Sequence, residues 1–412
     1  MSSTYSSTGL SRRTVAGGLA AAFGAAGLRS ARAQGGPVRI GVISDQSGPY
    51  SAPGGPGSVA GARLAVEDFG PAVLGRPIEI LVGDHQNKPD VGVGIVREWL
   101  DKDGVGAIAD GGSSAVGLAI QNLTRERKKL FLITGSTSNE FTGKQCSATG
   151  FQWQTDTFST ATAAVRGEIA QGRKTFFFLT VDYTFGYDLE RYATAGIEAG
   201  GGKVLGSARF PLGTPDFSSV LLQAQSSGAQ VIALGASGSD AVNAIKQAQE
   251  FGLMPKQSLT NLAFYISDLE GLGMEAGQNL SWASSFYWDR TEASRAWTAR
   301  FTKLRNQLPT RLHAGTYSAV LHYLNAIKAA GTEDGATVAA AMRKAPLADS
   351  LFTGATIRED GRVMLDQYLM RNKSPKTAKG AKDYAEVVAT VPAAQAFRPL
   401  GDGGCPLVTA AK

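Results

Sequence analysis

Cysteine and histidine are scarce in this 412-residue chain, with two of the first and three of the second. His85, His313 and His322 stand at no spacing that suggests a metal centre or an i, i+4 helical pair, and a packed core or surface role suits each. Catalytic signatures are missing as well. No serine lies in G-x-S-x-G, because Gly111-Gly112-Ser113-Ser114-Ala115 and Gly235-Ala236-Ser237-Gly238-Ser239 both fail at the last position. Gly54-Gly55-Pro56-Gly57 with Gly61 misses the dinucleotide fingerprint, its third glycine one place late and a proline inside. Only 18% of residues are charged, and no basic run is interleaved with aromatics, so nothing favours nucleic acid. The sequence reads as that of a non-enzyme without cofactor or metal.

What is present begins with an export segment over residues 1–33. Ser11-Arg12-Arg13-Thr14-Val15 precedes an apolar run from Val15 to Leu28, and Ala31-Arg32-Ala33 has the small-x-small form of a cleavage site. The paired arginines are twin-arginine-like. The run, about 14 residues, falls short of the roughly 20 that a bilayer span needs. Its removal takes four arginines and no acid, lowering the formal charge from +6 to +2. Export makes the periplasm the expected compartment. There, Cys146 and Cys405 are expected to form one disulfide, the other arrangement being two buried thiols.

The chain is organised around Gly104 to Arg125. A short apolar strand, Val105 to Ala109, runs into Asp110-Gly111-Gly112-Ser113-Ser114, and apolar residues then recur at Val116, Ala119, Ile120 and Leu123 with helical spacing. Glycines let a guest approach the backbone, and the first helical turn offers unpaired amides at a positive dipole end. That makes an anion seat; a plain helix cap at Ser113 or Ser114 is the competing use.

Strands are expected at Val38–Ile43, Pro77–Asp84 and Lys129–Thr134, with helices at Gly57–Phe69 and Val91–Leu100. The alternation pauses at Phe151–Thr157 and restarts with strands at Lys174–Val181, Gly202–Phe210, Gln230–Leu234 and Ser258–Phe264. A further strand, Leu280–Trp288, breaks the rhythm; helices at Ala293–Asn306, Gly315–Ala330 and Asp334–Arg343 follow, then a hairpin-like Phe352–Arg371 and an extended tail. Such alternation gives an α/β fold with parallel sheets that bind ligands at the carboxyl ends of their strands. Strand ends in both halves carry hydroxyls, open backbone and aromatics: Ser47 and Tyr50; Ser113 and Ser114; Ser136 to Ser138; Tyr183 and Phe185; Ser237 to Asp240. These groups hold a small polar molecule and do not cut one. Tyr183 and Phe185 suit a ligand wall or ordinary packing alike, and Trp153 and Trp288 suit lobe packing.

Together the export signal, VRIGVISDQSGPYS, the Gly-Gly-Ser-Ser turn, LFLITGSTS, DYTFG and the restart resemble the periplasmic solute-binding proteins of branched-chain amino-acid type ABC transporters, the type I, Leu/Ile/Val-binding-like class. The resemblance implies two Rossmann-like lobes joined by three hinge crossovers, closing over a ligand. Lobe 1 is then 37–156 with 290–356, lobe 2 is 157–289 with 357–395, and 396–412 is a tail. It implies a monomer that delivers a small carboxylate-bearing ligand to a membrane permease. The ligand-binding set expected is Ser47, Tyr50, Gly112, Ser113, Ser114, Ser136, Thr137 and Ser138 from the first lobe, and Tyr183, Phe185, Ser237, Asp240 and Leu262 from the second. Amino-acid binders of the family place an acid after the strand matched by Ser258–Phe264, where this sequence has Asn261, Leu262 and Ala263. An ammonium would need Asp240 or Asp156 instead, since a buried cation without a partner is costly. Otherwise the guest is an acid without an amino group, such as an aromatic carboxylate, rather than a branched-chain or hydrophobic amino acid. A ligand-sensing regulatory subunit on the same fold and an exported hydrolase are the other functional classes.

Overall fold

Strand interiors in the first half alternate their apolar side chains between two faces. The computed structural model, which describes residues 35–254 and 256–408, shows where each face goes. Ile40, Val42, Ala107, Ala109 and Leu132 pack with the helices Gly55–Phe69 and Arg311–Ala330. Ile43, Ile108, Phe131 and Ile133 pack on the opposite side with Pro89–Asp101 and Ser114–Glu126. A sheet buried on both faces follows.

Its strand order is Ala72–Val73, Arg76–Asp84, Val38–Ser44, Val105–Asp110, Leu130–Ile133, Gly150–Gln152, parallel except for the first pair. Ser44 stands opposite Asp84, and Asp110 opposite both Ile43 and Ile133, so the carboxyl ends are level and their loops emerge along one edge. A second parallel sheet has the order Ser258–Asn261, Val231–Gly235, Thr175–Val181, Lys203–Phe210, with a separate core around Phe176, Phe178, Leu234 and Ile245. Beside it, Ser281–Ser284, Gln367–Asn372 and Ala385–Val391 form an antiparallel sheet.

The chain passes between the two cores three times: from Trp153 to Ala161, around Phe286 and Tyr287, and from Leu365 to Tyr368. Two Rossmann-like lobes with three crossovers result. The crossings are stitched together, because the fully buried Arg362 donates to Gln154 O and lies 3.4 Å from Asp156, while Ser285 Oγ donates to Gln154 Oε1. A disulfide joins Cys146 to Cys405, pinning the tail to the first lobe.

Several elements differ from the sequence expectation. The helix expected from Gly315 starts at Arg311, capped by Thr310 Oγ1, which accepts from the Leu312 and His313 amides. The strand at Ser258 ends at Asn261, whose Oδ1 accepts from Ala263 N (2.7 Å) and turns the chain into the helix Ile266–Leu272. The strand expected over Leu280–Trp288 covers only Ser281–Ser284. An unexpected helix, Thr157–Ala170, is held by an Asp156–Ser159 capping box, and the extended tail contains the strand Ala385–Val391. The expected export segment, 1–33, and the tail end, 409–412, lie outside the described residues. Among the described residues no helix is long and apolar enough to cross a membrane.

Candidate functional site

The strand Val105–Asp110 ends in three successive residues with positive φ: Asp110 (78°), Gly111 (84°) and Gly112 (56°). Aspartate in that region is strained, and here the strain is held by its own side chain, Oδ1 accepting from Gly112 N at 2.8 Å. At Gly112 no side chain fits, since a Cβ would fall 1.7 Å from His85 Nε2. The turn aims the helix Ser114–Glu126 at the space between the lobes. Its N-cap, Ser113, makes no side-chain capping bond, which leaves that hydroxyl and the first-turn amides for a guest.

The sheet edges of the two lobes face each other across this turn and enclose a cavity of ≈ 30 Å³. Gly112, Ser113, Ser114 and Thr137 line it from the first lobe, with Asp45, Tyr50, Pro53 and Asp110. From the second lobe come Tyr183, Phe185, Ser237 and Tyr265, and Leu312 caps the apolar side. Tyr183 is the N-cap of the helix Thr184–Ala199, so its ring and that of Phe185, 5.9 Å apart, project from one helix start. The lobes touch directly: Tyr50 Oη and Tyr183 Oη are 2.7 Å apart, and Ser239 N donates to Pro49 O (3.3 Å). Gly238 has φ 64°, and a Cβ there would lie 2.1 Å from Pro49 O, so only glycine allows this approach.

Carboxylates dominate the site's electrostatics. Asp45 accepts from Gly48 N, Tyr50 N and Asn87 Nδ2 at 2.7, 2.8 and 2.6 Å. Asp110 Oδ2 has no hydrogen-bond partner among the described residues. Burial pushes the Asp110 carboxyl up to about 6, tempered by the Ser58 hydroxyl, which is near without reaching hydrogen-bond geometry, and by the Gly112 amide. Behind Tyr265, burial pushes Asp268 up to about 7, although its oxygens accept from Tyr265 N and Gly238 N. Arg311 stacks 3.8 Å over the Tyr265 ring and donates to Phe264 O; it does not line the cavity.

The structure brings eight of the expected site residues together here: Tyr50, Gly112, Ser113, Ser114, Thr137, Tyr183, Phe185 and Ser237. It places the others off the cavity, each for a visible reason. Ser47 donates to Asp84 Oδ2 on the surface (3.0 Å). Ser136 Oγ is taken by the carbonyls of Gly111, Gly112 and Ser113, within 3.0–3.2 Å of each. Ser138 donates to Asp188. Leu262 is packed in the second core, its amide bonded to Leu234 O. Asp240 accepts from Gly213 N (2.9 Å), and Asp156 caps its helix and faces Arg362. The two acids considered for a ligand ammonium are thus committed elsewhere, while Asp45 and Asp110, which the sequence reading did not assign, reach the wall. The histidines serve packing: His313 accepts from Thr310 N and bonds Gly54 O (3.0 Å), and His322 bonds Met342 O (3.0 Å).

Two lobes whose sheet edges enclose an aromatic-walled cavity at a helix N-terminus constitute the architecture of a ligand-closing binding protein. Comparison with known proteins agrees. A family model described as periplasmic binding protein matches residues 37–381. A crystal structure of a periplasmic binding protein from Burkholderia mallei is 41% identical, covers 90% of this chain and 99% of its own, and superposes with a TM-score of 0.88. A branched-chain amino-acid ABC transporter periplasmic ligand-binding protein from Burkholderia xenovorans is 39% identical with the same coverage and a TM-score of 0.79. Among curated proteins, a Leu/Ile/Val-binding protein homolog from Brucella melitensis is 26% identical over 218 residues, 52% of this chain and 55% of that protein, so the match spans about half of that relative. The chain belongs to the periplasmic binding proteins of the branched-chain amino-acid ABC transporter type.

Proposed function

We propose that this chain is an exported receptor that closes over a small carboxylate-bearing ligand in the periplasm and presents it, as a monomer, to the permease of an ABC importer. The observation that carries the proposal is the N-terminus of the helix Ser114–Glu126, with the Ser113 hydroxyl free, opening into a cavity that residues of both lobes wall. An anion there meets amides and a positive dipole end without further partners. Because residues of both lobes wall the cavity, a ligand enters with the lobes parted and is enclosed as they close. The lobes, 37–156 with 290–356 and 157–289 with 357–395, move about the crossovers stitched by Arg362 and Gln154. The tyrosine pair Tyr50–Tyr183 would latch the closed form. A hydrophobic amino acid and an aromatic acid both present a carboxylate and an apolar body to such walls. A thermal-shift screen of the purified protein against amino acids, benzoates, sugars and inorganic ions tests the reading: melting should rise with carboxylates alone, and a rise confined to sugars or metal ions overturns it.

A further inference from the structure

The tail does not stay with the lobe that holds its last strand. Ala385–Val391 belongs to the antiparallel sheet of the second lobe, whereas Cys405 is bonded to Cys146 of the first. Residues 392–404 therefore run between the lobes as a fourth connection beside the three crossovers, and the disulfide fixes its far end. The segment is anchored along its path. Ala393 N donates to Asp366 Oδ1 of the third crossover (2.9 Å), and the buried Phe397 lies 4.4 Å under the guanidinium of Arg362. Arg358 donates to Arg398 O at 3.0 Å. Arg398 is itself buried and bonds both lobes: its Nη2 donates to Asn139 O of the first (2.6 Å), its Nη1 to Tyr192 Oη of the second (3.3 Å). Gly403 sits so close to the same turn of the first lobe that a Cβ there would fall 2.8 Å from Thr142 O.

We propose that this strap sets how readily the lobes part, and that Arg398 is its positioning residue: held on the first lobe by the disulfide, it bonds Tyr192 only while the lobes are closed. Tyr192 belongs to a seam. Asp188, Arg191 and Tyr192 share one face of the helix Thr184–Ala199 by their i, i+3, i+4 spacing. Their partners from the other side are Ser138, which donates to Asp188, Glu140, 3.8 Å from Arg191, and Arg398. The turn Asn139–Thr142 that Arg398 grips follows residues 136–138 directly, and Thr137 lines the cavity. A bond made in the closed form and absent from the open form raises the closed fraction before any ligand arrives and slows reopening afterwards. The disulfide makes that bond dependable, because an anchor seven residues along the chain keeps the guanidinium at Asn139 at high effective concentration. The strap acts on closure itself and holds whatever ligand the cavity takes.

Two measurements test it together. Spin labels on the exposed helical positions Leu304→Cys of the first lobe and Leu222→Cys of the second report lobe separation in the ligand-free protein. Stopped-flow fluorescence reports release of leucine, phenylalanine and benzoate as probes. Arg398→Met should move the ligand-free distances toward the open form and speed release of any probe that binds about tenfold, the scale of one hydrogen bond to a charged group, with little change in association rate. Tyr192→Phe should do the same, and the two changes together should do little more than either alone. In a Cys146→Ser, Cys405→Ser background, Arg398→Met should alter release by less than about twofold, because the strap no longer holds the guanidinium in place. An arginine that served the fold alone would lower the melting temperature and leave both lobe separation and release rate as in the wild type, and that result overturns the inference. An effect of the same size with and without the disulfide overturns it too. Should none of the probes bind, the carboxylate reading of the cavity falls, and the distance measurement by itself decides for or against the strap.

Discussion

Asp110→Asn should make the unliganded protein more stable at neutral pH, by an amount that can be worked from the structure. The carboxyl is buried and ordinarily titrates at 3.8, and burial pushes it to about 6. The folded state therefore binds a proton more readily than the unfolded state between those values. Stability falls as pH rises through that window, and the penalty is full above about pH 6. A rise from 3.8 to about 6 corresponds to about 3 kcal/mol. Asparagine keeps an oxygen for the Gly112 amide, tolerates positive φ and carries no charge to desolvate. The variant should thus gain up to about 3 kcal/mol at pH 8 and little at pH 4. In a lobe-sized unit that gain is roughly 6–12 °C in melting temperature. Asp240 and Asp268, pushed by burial to about 6 and about 7, give both proteins a similar slope, so the difference between variant and wild type isolates Asp110. Urea or thermal unfolding of both proteins from pH 4 to 8 provides the measurement. A variant no more stable than wild type at pH 8, or a gain of the same size at pH 4, would refute the reasoning. A site residue whose removal stabilises the fold is what a stability–function trade-off looks like at one position.

Other substitutions separate binding from scaffolding. Ser113→Ala should weaken carboxylate binding by about 1.5–3 kcal/mol in calorimetry, whereas Ser136→Ala, which removes the donor to the Gly111 and Gly112 carbonyls, should lower melting temperature with little change in affinity. Tyr50→Phe or Tyr183→Phe alone leaves one buried hydroxyl unpaired and should cost about 1–3 kcal/mol of apparent affinity; the double variant should cost less than the sum, as a double-mutant cycle would show. Reducing the Cys146–Cys405 disulfide should cost about 2–5 kcal/mol and expose two thiols that do not react beforehand; thiols titrating freely in the native oxidised protein would contradict the pairing.

Most strands were legible because both faces of a parallel sheet are buried and their apolar runs stand out, as at Val105–Asp110 and Thr175–Val181. The turn after Val105–Asp110 was legible from its glycines. Side-chain direction was not: Ser113 and Ser136 read alike as letters, yet one hydroxyl is free and the other is consumed by the carbonyls of the positive-φ turn. Asp110 was passed over because an acid beside an anion seat looks unfavourable in the sequence, although the fold places it at the cavity wall. Tyr265 and Leu312 were missed for a local reason. An Asx turn at Asn261 ends an apolar run that reads as continuous strand, and the Thr310 cap starts a helix four residues before the expected Gly315. Ser284 similarly bends its run into a crossover by bonding the Phe286 carbonyl at 2.6 Å.

The central claim is that a carboxylate seats on the amides and hydroxyl at Ser113 and Ser114. It is tested most directly by titrating the protein with its tightest-binding acid and with the neutral primary amide of that acid. The account predicts that the acid binds and that the amide, equal in shape but without the charge, loses at least tenfold in affinity; equal binding of the two would contradict it.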